Sequence, residues 1–309
     1  MNHRTLARRR RLRRERTDVS GLTGDEFIFG KRVRDGDRIN ILVEGDSWFA
    51  YPRPNIVAGP ASNIVSNLLE PLRPTRLINA LCLASNGHTL NQIVDRGQLA
   101  RLTRIFKRYG EQMDLMLLSA GGNDVIGGKE LKGLLRDYEP GFTARDCIDA
   151  SAWEARLARL RRDLETILKL QIRFAPQMPI LTHTYDVAEP TSRKGRLLFG
   201  LVRTGPWMWP VMNDKNIPEG ALRRQIVQEL LNDFRNQLLQ IWAQYPDSLL
   251  VVDTIGTLSP NDLDDWADEI HPTPQGFKRV AAPMYDEMQT LLPILPDRDD
   301  SGRYRLRVI

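Results

Sequence analysis

The stretch ILVEGDSWFAYP, residues 41–52, begins as a strand and then breaks its own pattern. Ile41, Leu42 and Val43 form an apolar run suited to a strand covered on both faces. Gly45, Asp46 and Ser47 follow at once, and then two large aromatics, Trp48 and Phe49. A small polar residue at the mouth of a buried strand reads in one of two ways. It is a turn residue, or it is a nucleophile held at the end of a sheet, and the rest of the chain decides.

Working outward, five apolar segments read as strands: residues 39–43, 77–83, 113–119, 178–184 and 248–252. Most lack clean alternation, as parallel strands covered on both faces do. Amphipathic helical patterns separate them. Trp153, Leu157, Leu160, Leu164 and Leu168 recur at three- and four-residue spacing, as do Leu222, Ile226, Leu230, Phe234, Leu238 and Trp242. Strands alternating with helices predict a doubly wound α/β domain with a five-stranded parallel sheet, placed at residues 21–292. Residues 186–218 are longer than an ordinary connection and carry Phe199, Trp207, Met208 and Trp209, so they read as an insertion. Residues 293–309 are polar and basic and read as an appendage.

The 309 residues are 41% apolar and 27% charged, an ordinary globular composition. No apolar run reaches the ~20 residues that cross a bilayer. Cys82 and Cys147 are the only cysteines, too few for a disulfide framework and in keeping with a reducing compartment. The net charge of +5 hides an asymmetry: residues 1–16 hold eight arginines and one glutamate, a balance of +7, which leaves about −2 for the rest. No apolar stretch follows these arginines, so they are not read as a secretory signal, and the expected location is the cytoplasm. Residues 1–20 read as a solvated basic tail, or as the product of a start set too early. The functional alternative is weak contact with a polyanion, nucleic acid or anionic lipid, through residues 1–16. That alternative would make the chain a binding protein whose body is inactive or only secondarily catalytic.

In doubly wound sheets ligands sit at the carboxyl ends of the strands. Ser47 follows the first strand; Asn86, Gly87 and His88 the second; Gly121, Gly122, Asn123 and Asp124 the third. His183, Tyr185 and Asp186 close the fourth, and DDWADEIHPTPQGF, with Asp268 three residues before His271, follows the fifth. Acyl transfer needs such a set: a serine, a base to take its proton, a carboxylate to orient the base, and donors for an oxyanion. The Asp268–His271 spacing lets one turn bring carboxylate and imidazole together, and Pro272 restricts the backbone of His271. Thr273 can cap a helix that has Pro274 at its first position. The Gly87 N–H and the Asn123 amide are candidate donors.

Four blocks in this order resemble the SGNH hydrolases, the GDSL-type esterases and lipases. They are Gly45-Asp46-Ser47, Gly87 with Thr89, Gly121-Gly122-Asn123-Asp124, and Asp268-Glu269-Ile270-His271-Pro272, and the match spans roughly residues 39–292. The resemblance implies a flavodoxin-like three-layer α/β/α fold and metal-free, cofactor-free hydrolysis of a small-molecule ester. It implies Ser47 as nucleophile, Asp268 and His271 as its partners, and Ser47, Gly87 and Asn123 as oxyanion donors. Trp48 stands where the family name has leucine, which bears on the pocket rather than on catalysis. Trp48, Trp207 and Trp209 are candidate substrate contacts. In GPWMWP an extended chain would send Trp207 and Trp209 to opposite sides, one to the core and one to the site. Asp262, Asp264, Asp265, Asp268 and Glu269 lack the spacing of a calcium loop and read as a solvated acidic loop. His183 reads as a core histidine. No glycine-rich phosphate loop follows the first strand, which argues against a nucleotide-binding module.

Overall fold

The computed structural model describes residues 21–36, 38–52, 62–197, 202–260, 262–298 and 304–305. The Arg-rich segment 1–20 lies outside them. The strands of the central sheet are β1 (Leu22–Thr23), β2 (Ile39–Gly45), β3 (Ile78–Cys82), β4 (Leu115–Ser119) and β5 (Ile180–His183), then, after a hairpin of β6 (Gly195–Leu197) and β7 (Val202–Thr204), β8 (Leu249–Val252). All are parallel in the order β1-β3-β2-β4-β5-β8. Every residue of β2 and of β4 is buried, which accounts for their unalternating apolar runs.

Five longer helices cover the sheet: α1 (Glu26–Arg34), α2 (Arg96–Tyr109), α3 (Ala150–Phe174), α4 (Ala221–Gln244) and α5 (Pro274–Leu291). Helix α3 packs on α2 and α4, while α5 packs on the short helix Ile64–Leu69, so two helical layers enclose the sheet. Thr273 caps α5, its Oγ1 accepting from the Gly276 N–H at 3.0 Å, with Pro274 in the first turn. The result is a flavodoxin-like three-layer α/β/α domain. Among the described residues, no helix is long and apolar enough to cross a membrane.

The sheet departs from expectation in one respect: it has six strands rather than five. The extra strand β1 is two residues long and pairs at the edge, Leu22 opposite Ala80 and Thr23 opposite Leu81. A two-residue strand leaves no periodic signal. The segment expected to be a long loop is the β6–β7 hairpin followed by a helix, Met208–Asp214. Near the carboxyl terminus Leu295 is fully buried, the Tyr285 hydroxyl donates to the Pro296 carbonyl at 2.9 Å, and Asp297–Arg298 pairs antiparallel with Tyr304–Arg305.

Strand order reverses beside β2, with β3 on one side and β4 on the other, so the crevice opens above these strands. Gly45 ends β2 at φ +150°, and a Cβ there would lie 2.3 Å from the Ser119 carbonyl oxygen on β4. Gly45→Ala should therefore destabilise the fold by more than ~1 kcal/mol and displace Ser47. A wild-type melting temperature for this variant would contradict the tight β2–β4 contact.

Candidate active site

Ser47 opens a one-turn helix, Ser47–Ala50, directly after β2. Asp46 caps that turn: its Oδ1 accepts from the Trp48 N–H at 3.0 Å. Both Asp46 and Ser47 are buried. The Asp46 N–H donates back to the Ser119 carbonyl at 2.9 Å, which ties the turn to β4.

The loop before α5 brings the remaining partners. An isolated antiparallel bridge between Trp266 and Pro272 closes it, and the Ala267 N–H donates to the His271 carbonyl at 2.9 Å. Inside this turn the Asp268 carboxylate faces His271 Nδ1, with Oδ2 at 2.9 Å and Oδ1 at 3.0 Å. Asp268 Oδ1 also accepts from the N–H groups of Ile270 at 3.0 Å and His271 at 2.8 Å. Burial alone would raise the Asp268 carboxyl, but the His271 contact and these backbone donors hold it below the usual carboxylate range. His271 Nε2 lies 2.8 Å from Ser47 Oγ. The structure thus brings Ser47, His271 and Asp268 into one hydrogen-bonded chain.

Tyr51 joins this chain, although sequence reading did not single it out. Its ring stacks on the His271 imidazole with centroids 4.1 Å apart, and its hydroxyl donates to Asp268 Oδ2 at 3.1 Å. Burial and the neighbouring Asp268 charge push the phenol far above its ordinary range, so it stays a donor. The signal lay four residues after Ser47, at the end of the same turn.

Ser47, Gly87, Asn123, Thr204, Trp207 and His271 line one cavity of about 240 Å³. Gly87 sits in a turn at φ +77°. Asn123 donates one amide hydrogen to the His88 carbonyl at 2.9 Å, which fixes the side chain and leaves the second hydrogen for a ligand. The N–H of Ser47, as first residue of its helix, has no intrahelical acceptor. Trp207 stands edge-on to His271, ring centroids 5.2 Å apart.

The other two candidate tryptophans, Trp48 and Trp209, lie elsewhere. Trp48 is 5% exposed and does not line the cavity: it packs behind it, parallel to His183 at 5.5 Å and against Trp266 and Phe277, with Nε1 donating to the Ile270 carbonyl at 3.1 Å. Trp209 follows Trp207 on a helix rather than on an extended strand, and its Nε1 donates outward to Glu219 at 3.2 Å. The acidic loop is also not uniformly solvated, because Asp265, Asp268 and Glu269 are buried. Among the described residues, no group of three or more His, Cys, Asp or Glu side chains is arranged to hold a metal.

Neither a family model nor a curated protein matches this sequence. Solved structures do match in shape. A lipase from the goat rumen metagenome superposes with a TM-score of 0.50 at 10% identity, covering 80% of this chain and 96% of its own. The chain shares the fold of this lipase. Also similar are a GDSL-like lipase from Parabacteroides merdae, with TM-score 0.48, 16% identity and coverage of 82% and 97%, and an esterase of the SGNH-hydrolase family, with TM-score 0.40, 18% identity and coverage of 84% and 98%.

Within this fold a second polar cluster lies behind the cavity. Ser119 Oγ donates to Asp46 Oδ1 at 2.8 Å, the Tyr185 hydroxyl donates to Asp46 Oδ2, and His183 Nε2 lies 3.0 Å from Ser119 Oγ. His183 Nδ1 meets the Thr184 carbonyl at 2.8 Å, an acceptor only, so Nδ1 carries a proton. With Asp46 ionised and His183 neutral, the single Ser119 proton faces two acceptors, and one contact is unsatisfied. One more proton completes the network. Burial raises Asp46 to about 6 and lowers His183 to about 4, which puts that proton on Asp46. A carboxyl raised on folding favours the native state most below its unfolded pKa, and that favour is lost as pH rises through its folded pKa. Asp46→Asn has no proton to lose. Its melting temperature should vary less between pH 4 and pH 7 than the wild type's; parallel curves for the two proteins would show that Asp46 does not titrate in this window.

Proposed function

We propose that this chain is a serine hydrolase that cleaves a carboxylic ester through an acyl-enzyme intermediate. The observation that carries the reading is the 2.8 Å contact between Ser47 Oγ and His271 Nε2 inside a cavity shared with Gly87 and Asn123. As the ester carbonyl carbon approaches, Ser47 Oγ attacks it and His271 Nε2 takes the hydroxyl proton. Asp268 holds the Nδ1–H tautomer and offsets the imidazolium charge that forms. The Ser47 and Gly87 N–H groups and the second Asn123 amide hydrogen receive the oxyanion. His271 then returns its proton to the departing alkoxide, which leaves as the alcohol. A water, activated by the same imidazole, attacks the acyl-enzyme and releases the carboxylic acid. The cavity of about 240 Å³ suits a small or medium acyl group. The esterase and lipase names of the structural neighbours agree with this reading.

Ser47→Ala and His271→Ala should each lower kcat by roughly 10⁴-fold or more on an activated ester, and the double variant should lose little further. A fluorophosphonate should label the wild type at Ser47 and leave Ser47→Ala unlabelled. Near wild-type turnover by Ser47→Ala would dismiss the assignment.

Asn123→Ala should lower kcat by about 10²–10³-fold, equivalent to ~2.7–4 kcal/mol, with a smaller change in KM. A variant that loses only affinity would make Asn123 a substrate contact instead.

A further inference from the structure

Glu269 directly follows the carboxylate that faces His271. It is 1% exposed, in a loop whose neighbours Asp262 and Asp264 face solvent. Its carboxylate accepts three backbone N–H groups from the insertion: Oε2 from Trp207 and, at 2.8 Å, Met208, and Oε1 from Trp209 at 2.7 Å. These are the N–H groups of the first turn of the helix Met208–Asp214, where no intrahelical acceptor exists. Asp268, one residue earlier, faces His271. Two adjacent carboxylates thus point in different directions, one to the base and one to the segment that carries Trp207.

We propose that Glu269 is a positioning residue for substrate selection, clamping the Trp207 turn against the His271 loop so that the Trp207 ring limits the acyl side of the cavity. This rests on the hydrolase reading above for its kinetic consequence, though not for the clamp itself. All three partners are donors, so the clamp needs a carboxylate. A glutamine would set its NH₂ against at least one N–H, and a protonated carboxyl would set its O–H likewise. Loss of charge by either route loosens the same turn.

The surroundings make such protonation accessible. Burial raises Glu269 to about 7, with the charge of Asp268 adding to the rise and the three backbone donors opposing it. Arg223, 3% exposed, also interacts with the Glu269 charge, and its guanidinium donates to the Ile217 carbonyl and Asn213 Oδ1. As pH falls through about 7 the clamp should weaken, and the wild type should come to behave like Glu269→Gln.

The test compares acetate and hexanoate esters of one alcohol. In Glu269→Gln at pH 8 the hexanoate-to-acetate ratio of kcat/KM should rise about tenfold over wild type, mostly through KM. Trp207→Ala should raise it similarly, and Glu269→Gln with Trp207→Ala no further than Trp207→Ala alone. In the wild type the ratio should rise between pH 8 and pH 5.5, while Glu269→Gln stays level. Any effect that slows both esters alike cancels from the ratio. A second arm needs no turnover: in protein labelled with 5-fluorotryptophan, the Trp207 signal, assigned by its loss in Trp207→Phe, should shift with a midpoint near 7 in the wild type and stay fixed in Glu269→Gln. A changed melting temperature with an unchanged ratio, or additive effects in the double variant, would overturn the selective role. A Trp207 signal that ignores pH in the wild type would overturn the clamp, whether or not any ester is cleaved.

Discussion

Everything at the candidate site depends on how closely β2 and β4 approach at their carboxyl ends. Gly45 has no side chain, so the backbone of β2 can lie against Ser119, where a Cβ would come within 2.3 Å of the carbonyl oxygen. The next residue donates its N–H to that carbonyl, and the one after it is Ser47. On the other side of the contact, β4 runs into Gly121 at φ +103° and then to Asn123. The proposed nucleophile and an oxyanion donor therefore inherit their relative position from one pair of strands. The register pairs Gly45 with Ser119, so the segments carrying Ser47 and Asn123 leave the sheet from neighbouring points.

The chemistry is set in low-dielectric surroundings by carboxyls with opposed characters. Glu44, Asp46 and Asp124 are buried, and burial raises each to about 6. Each accepts from backbone N–H groups at the strand ends: Glu44 from Gly45, Asp46 from Trp48, and Asp124 from Leu90 at 2.6 Å. Asp268 is buried too, but the imidazole it faces, with two N–H groups, keeps it ionised. The acid that faces His271 is thus the one held charged, as the proposed mechanism requires. The others serve as caps that fix the turns.

The fold was legible because its signals are local. Continuous apolar runs mark the covered strands, helical spacing marks α3 and α4, and glycine and polar residues crowd the strand ends. Three of the four blocks were legible for the same reason, each lying within a few residues of a strand end; the fourth was legible through its own Asp268–His271 spacing. What escaped depended on distant partners. Glu269 looks solvated in a run of acids, and its three donors lie about sixty residues away in sequence. Trp48 adjoins Ser47, yet the one-turn helix carries its ring away from the cavity toward His183 and Phe277. Tyr51 carries no motif at all; only the turn places its ring on His271. The strand β1 borrows its order from Ala80 and Leu81 rather than from its own sequence.

Gly195 has a consequence for how such a domain can be altered. It begins the β6–β7 hairpin, and a Cβ there would stand 2.4 Å from Asp268 Oδ2 and 2.4 Å from Thr204 Oγ1. The insertion is therefore not an ornament that can be exchanged wholesale. Its first strand lies flat against the acid that faces His271, so any replacement segment inherits a steric rule at one position. A graft that presents alanine or anything larger at residue 195 pushes on Asp268 before it reaches substrate. Loop diversity on this scaffold is nearly frozen at the hairpin's root.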